Sequence, residues 1–492
     1  MRRTSHASRR LSNLAKVISL SSALAVVSGS AALAVARVPV AAASARAAPH
    51  AHVSLSVRSG PPRTVVGVKG TGFGASERVQ ISFDSVKLKL ARSGSNGAFG
   101  PVSVTVPASA LPGTHKFLAR GLRTGRKASS AFIVRTNWPQ FRFGPGHDGN
   151  NTTEIVLGRV NVSLLAQKWS FPTGGAVDSS PSVVNGVVYV GSNDHYVYAL
   201  KASTGHMIWR FKTPTEVEGS PAVANGIVYI GAGFDGPSFF ALKASTGKKL
   251  WSVSTPAPVV SSPTVVKGVV YFADGGGHVY ALKARTGRKL WRSTIGAGVD
   301  SSPAVAAGRL FIGGFNNKVY ALSTATGRHL WSFGTGFALF SSPAVAGRTV
   351  YVGGNDHIVY ALNAVTGHKR WTFTTGNFVG SSPAVAGTLV YVGSADGTVY
   401  ALHAGTGTPA WTFSTEAEVI SSPAVANGVV YIGSLANGFD NLFGLDSSNG
   451  NRLWAVQVGS TTGVFSSPAV SDGVVYVGGE DGSVYAFAPG VG

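Results

Sequence analysis

The chain has 492 residues, with 64 glycines, 44% hydrophobic and only 13% charged residues, and a formal net charge of +22. That length allows two or three domains. The absence of cysteine excludes disulfide scaffolds, thiolate metal centres, thiol nucleophiles and a lipid-anchor cysteine.

Residues 1–51 hold seven basic residues (Arg2, Arg3, Arg9, Arg10, Lys16, Arg37, Arg46) and no acid. A mildly apolar stretch, Val17 to Ala36, follows, with small-x-small sites at Ala34-Val35-Ala36 and Ala43-Ser44-Ala45. This pattern predicts a cleaved secretory signal peptide and a secreted or cell-envelope protein. The serines and glycines within the stretch argue against a membrane anchor.

Residues 52–136 read as a separate small immunoglobulin-like β-sandwich. Short alternating runs such as Val53–Val57, Val79–Phe83, Val102–Val106 and Ala131–Val134 lie between Gly, Pro and Ser turns. The unit carries thirteen basic residues against Glu77 and Asp84. Such an excess predicts attachment to an anionic surface. No nucleic-acid-reading motif is present. Residues 137–164 read as a linker and entry segment. Asp148, Asn150, Thr152 and Glu154 alternate oxygen side chains, which suits a polar turn better than a calcium loop.

From residue 165 the chain repeats one pattern. The copy at Ser381–Trp411 has a Ser-Pro opening, a Val-Tyr-Val run, a polar turn, a Val-Tyr-Ala-Leu run, a Thr-Gly turn and a Trp four residues after that Gly. Its tryptophans are Trp169, Trp209, Trp251, Trp291, Trp331, Trp371, Trp411 and Trp454, at intervals of 40 to 43 residues. That period suits one four-stranded blade, so the fold class is all-β, an eight-bladed β-propeller. The first copy lacks its Thr-Gly turn and the last lacks its Trp strand, so the strand around Trp169 is expected to complete the last blade. The eight tryptophans are expected to be structural docking residues, each able to bury about 150–250 Å².

The segment Ala404-Gly-Thr406-Gly407 to Trp411 resembles the tryptophan-docking repeat of pyrroloquinoline-quinone (PQQ)-like propellers. Asn137–Gly149, NWPQFRFGPGHDG, resembles the segment that enters the first blade in that family. The family includes quinoprotein alcohol dehydrogenases and the non-enzymatic propeller lipoprotein of the outer-membrane barrel-assembly machine. The resemblance therefore implies the fold and leaves two functions open.

Loops entering the innermost strands should line one mouth of the ring, together with the turns between second and third strands. They bring Asp178, Glu216, Glu218, Asp300, Glu416 and Glu418, and the aromatics Phe337, Phe340, Phe378 and Phe465. Two of those turns are longer and contain Gly233-Phe234-Asp235 and Gly438-Phe439-Asp440. The predicted binding site is accordingly Asp178, Glu216, Glu218, Phe234, Asp235, Glu416, Glu418, Phe439 and Asp440, in one sector of one face.

Catalytic signals are weak. The two G-x-G-x-x-G strings, Gly144–Gly149 and Gly231–Gly236, lead into no helix, and His195 and His357 belong to no ligand set. The expectation is an exported, monomeric, non-enzymatic scaffold that binds a protein or cell-surface glycan without a cofactor. The alternative is a PQQ-dependent dehydrogenase with calcium. A third possibility makes the sandwich a lid over the acidic mouth.

Overall fold

A computed structural model describes residues 50–233, 238–435, 438–459 and 463–490. The predicted signal peptide lies outside them, except for the last two residues of the leader. Among the described residues no helix is long and apolar enough to cross a membrane.

Residues 52–134 form two sheets. Strands β1 (His52–Leu55), β3 (Val65–Thr71) and β6 (Phe99–Thr105) make one. The other runs in the order β2-β8-β7-β4-β5, with β2 Ser59–Gly60, β4 Arg78–Phe83, β5 Val86–Arg92, β7 Gly113–Gly121 and β8 Lys127–Val134. The period-two alternation directs Val66, Val68, Val79, Ile81, Phe83, Phe117 and Phe132 into one core. The acid Glu77 is 3% exposed and serves the backbone. It accepts from the amides of Gly74, Arg123 and Thr124 and from the Thr124 hydroxyl. Burial opposes its charge, but these donors prevail and hold it at about 2.

The repeats build a β-propeller of four-stranded antiparallel sheets. In the repeat at 384–414 the strands are Ala384–Ala386, Leu389–Gly393, Thr398–His403 and Pro409–Ser414, paired in chain order. Eight such sheets occur among the described residues. They are numbered 1 to 8, and their strands A to D from the inside outward. The A strands touch in chain order, and Ser182–Val184 of sheet 1 touches Ala469–Ser471 of sheet 8. Sheet 8 takes its D strand from Leu165–Pro172, which pairs antiparallel with Ser483–Pro489 and carries Trp169.

Three repeat residues lock each sheet to the next. The second serine of each opening donates nothing to its own sheet. Its oxygen accepts the backbone N–H of the equivalent serine one sheet back. The series runs Ser180, Ser220, Ser262, Ser302, Ser342, Ser382, Ser422, Ser467 and returns to Ser180, every bond between 2.8 and 3.2 Å. Each Trp indole N–H reaches across to a carbonyl of the following sheet. The acceptors for Trp169, Trp209, Trp251, Trp291, Trp331, Trp371, Trp411 and Trp454 are Ala202, Ala244, Ala284, Thr324, Ala364, Ala404, Ser447 and Leu165. The Thr-Gly glycine lies under the preceding Trp. At Gly407, with φ +77, a Cβ would stand 2.5 Å from the Trp371 ring. Only glycine accepts both that backbone and that approach.

Residues 137–164 differ from a simple linker. From Trp138 to Asn151 they run round the inside of the ring and supply partners to the otherwise unpaired A strands. Val183 pairs with Trp138, and the amide of Val223 donates to the Pro139 carbonyl. Val265 donates to the Gln140 side chain. Val305, Val345, Val385 and Val425 donate to the carbonyls of Pro145, Gly146, Asp148 and Gly149. Asn151 Nδ2 donates to the Val470 carbonyl. This collar satisfies one innermost strand after another, which is the demand a buried sheet edge makes. Arg142 enters the centre, 2% exposed, and donates to the carbonyls of Pro383 and Pro423. Burial draws its guanidinium down to about 9, with Asp148 opposing.

Glu154 holds no open ligand position of the kind a calcium loop needs. Its carboxylate accepts from Val156 and Leu157 amides, the Thr136 hydroxyl and the Gly473 amide. The lid expectation also fails. The sandwich joins the ring at turns between strands A and B. There Asn137 Oδ1 accepts from the Asn185 amide, and Thr136 bonds Asp472. Those turns lie at the far ends of the A strands from the loops that carry the mouth acids.

Candidate functional site

The loops entering the A strands and the turns between B and C form the open mouth. Asp178 sits immediately before Ser179 of sheet 1, and Glu216 and Glu218 before Ser220 of sheet 2. Asp300 stands at the same place before sheet 4. The structure brings Asp178, Glu216 and Asp300 close enough for their charges to act on Glu218. Glu218 is raised above the ordinary carboxylate range, first by loss of solvation and then by the charges of Asp178, Glu216 and Asp300. Loss of solvation raises Asp300 as well.

Glu480, in the B–C turn of sheet 8, completes the group and was missed in the sequence. It is pushed up to about 8 by lost solvation, then by its hydrogen bond with Asp178 and the charges of Asp178 and Asp481. On its other side Asp178 accepts from Asn193 Nδ2 at 2.8 Å. The available signal lay in comparing turns. The position before the turn aspartate is Asn193 in sheet 1, Asn355 in sheet 5 and Ala395 in sheet 6, but Glu in sheet 8. The aspartates that follow are structural. Asp194, Asp356 and Asp396 each accept a Tyr hydroxyl and a glycine amide from the loop ahead.

A cleft of about 410 Å³ opens beside this group. It is lined by His195, Thr215, Glu216, Glu218, Gly233 and the segment Pro258-Val259-Val260. Five side chains of these loops and turns keep a buried oxygen without a hydrogen-bond partner: Asn193 Oδ1, Thr215 Oγ1, Asn316 Oδ1, Asn355 Oδ1 and Glu480 Oε1. The mouth thus offers acceptors in excess of donors. Farther round, Phe315 and Phe340 pack at 5.0 Å between ring centroids, and Phe337 is 60% exposed.

Other predicted residues stand apart. Glu416 and Glu418 are exposed in the loop entering sheet 7, and the charges acting on Glu218 come from elsewhere. Asp440 approaches Arg452 at 3.9 Å, and Phe439 is 69% exposed. Phe234 and Asp235 lie outside the described residues. Among the described residues no three His, Asp or Glu side chains converge closely enough to hold a metal ion.

A family model described as outer membrane protein assembly factor BamB matches residues 161–282, 275–378 and 374–492. Comparison with curated proteins gives no match. Among solved structures, BamB from Moraxella catarrhalis aligns with a TM-score of 0.55 at 19% identity, over 66% of this chain and 97% of that one. The computationally designed Ika8 protein aligns with a TM-score of 0.59 at 19% identity, over 65% and 99%. The quinohemoprotein alcohol dehydrogenase ADHIIG from Pseudomonas putida HK5 aligns with a TM-score of 0.61 at 18% identity, over 72% and 80%. At such identities the structural likeness establishes the fold alone.

Proposed function

This chain belongs to the family described as outer membrane protein assembly factor BamB, and from that premise we propose a non-enzymatic binding scaffold of the cell envelope. Its fold is an eight-bladed propeller preceded by an immunoglobulin-like sandwich, a count supported by the closed series of serine bonds. Closure within one chain favours a monomer. The acidic mouth takes a protein or glycan partner. The observation that carries this is its surplus of acceptors: five carboxylates with five unpartnered oxygens among its loops. A partner rich in donors, such as a lysine- or arginine-bearing peptide, would satisfy them, and the neighbouring phenylalanines would take its apolar residues. The amino-terminal leader exports the chain, and the basic sandwich attaches it to an anionic surface.

The test is capture of envelope proteins and glycans on the full immobilised chain, repeated with Asp178→Asn, Glu216→Gln, Glu218→Gln and Glu480→Gln combined. Loss of the captured partner supports the proposal, and unchanged capture refutes it.

The dehydrogenase alternative follows from the quinoprotein neighbours, and the described residues favour the scaffold over it. A quinone held through calcium needs convergent oxygen donors. Among the described residues no three His, Asp or Glu side chains converge closely enough to supply them. Titration with the quinone and calcium, followed by absorbance and dye reduction, separates the two readings. Turnover would overturn the scaffold.

A further inference from the structure

The outer face of the five-stranded sheet carries a line of cations. Arg92 on β5 lies directly opposite Arg78 on β4, and Arg120 on β7 directly opposite Lys127 on β8. Arg120 also faces Gln80 on β4, two residues from Arg78, so the two pairs are diagonal neighbours. All four side chains are exposed, while the alternate residues Val79, Ala91 and Ala119 are buried. The band therefore crosses four adjacent strands, about 15 Å at the usual strand spacing.

Like charges opposite each other in a sheet repel. Among the described residues nothing relieves this pairing. None of the four cations makes a hydrogen bond or ion pair with a described residue. Nearby arginines are engaged elsewhere: Arg123 donates to the Ala75 carbonyl and Arg126 to that of Gly72. Both acids of the unit are off this face. Glu77 is buried among its donors, and Asp84 binds His115 at 2.7 Å.

We propose that this band is the binding groove for a linear phosphodiester polymer of the sugar- or polyol-phosphate type. The inference rests on the anionic-surface part of the function proposed above and names its ligand class. Guanidinium groups match phosphate oxygens in a two-pronged geometry. The four cations form a row across the strands, and Gln80, Leu90, Ser82, Leu118 and Ser129 separate it from Lys87 and Lys116 farther along that face. A line fits a chain lying across the strands better than a lipid surface. The face offers no aromatic side chain on which a nucleic-acid base would stack.

The experiment measures binding of the full chain to poly(glycerol phosphate) as a function of salt. Four phosphate contacts give a log–log slope of about −3, roughly a 50-fold loss between about 50 and 200 mM salt. Arg78→Gln with Arg120→Gln should halve that slope and weaken binding about tenfold or more. Arg58→Gln with Lys69→Gln removes the same charge away from the band and should leave the slope unchanged. Unaltered melting temperatures establish that both variants fold. Equal losses from the two double variants would overturn the band while leaving anionic attachment in place. No polymer binding, with or without capture by phosphatidylglycerol vesicles, would overturn the polymer. Single-stranded DNA binding as tightly as the polymer would also overturn it.

Discussion

Replacing Gly149 by alanine tests the collar directly. Gly149 has φ +64, and a Cβ there would stand 2.6 Å from Arg142 Nη2, 2.8 Å from Arg142 Cζ and 3.1 Å from the Ala384 methyl. The backbone penalty is about 1–2 kcal/mol. The added methyl also drives the guanidinium from the Pro383 and Pro423 carbonyls. Each buried carbonyl left without a donor costs about 1–3 kcal/mol. The sum is about 2–5 kcal/mol when one carbonyl is lost and more when both are. Gly308→Ala is the control, because Gly308 has φ +76 and nothing within 4 Å of the added carbon. It should show the backbone penalty alone. The assay is urea unfolding followed by tryptophan fluorescence. Equal shifts in the two variants would refute the placement of Arg142 inside the ring.

Glu480→Gln should stabilise the protein at alkaline pH. The folded-state value near 8 exceeds the ordinary 4.5, so the native carboxyl favours its proton and native stability falls as pH rises from about 4.5 through 8. The variant should lack that decline in a pH series of denaturation midpoints. Glu77→Gln should behave in the opposite sense. Its folded value of about 2 lies below 4.5, so its contribution is present above pH 4.5 and disappears as pH falls towards 2. The variant should be destabilised at neutral pH and equal to the parent near pH 2, as thermal melts would reveal. Phe311→Tyr should stabilise by about 0.5–1.5 kcal/mol. In sheets 1, 2, 5 and 6 the equivalent tyrosine hydroxyl shares the carbonyl that accepts the Trp N–H, whereas sheet 4 has Phe311. A lower unfolding midpoint would contradict that geometry.

The repeat was legible because each Trp, Gly and Ser serves the same neighbour in every sheet. The sequence displays that service as a period. The collar left no such signature. Trp138, Pro139, Gln140, Pro145, Gly146, Asp148 and Gly149 each satisfy a different strand, mostly through backbone carbonyls, which carry no side-chain pattern. Polar and glycine-rich composition therefore suggested a linker. The mouth was half legible. Asp178, Glu216, Glu218 and Asp300 follow from their place before the serines. Glu480 escaped because its partner Asp178 meets it only after the ring has closed. Glu416 and Glu418 share that face but are exposed in a separate loop, and the charges acting on Glu218 come from other residues.

Hydrogen exchange at the inner strands tests the central claim, that the amino-terminal segment lines a sealed ring and leaves one open acidic mouth. The amides of Val305, Val345, Val385 and Val425 donate to collar carbonyls and should exchange only on unfolding of the whole ring. Exchange of these amides at the rate of the surface turns would contradict it.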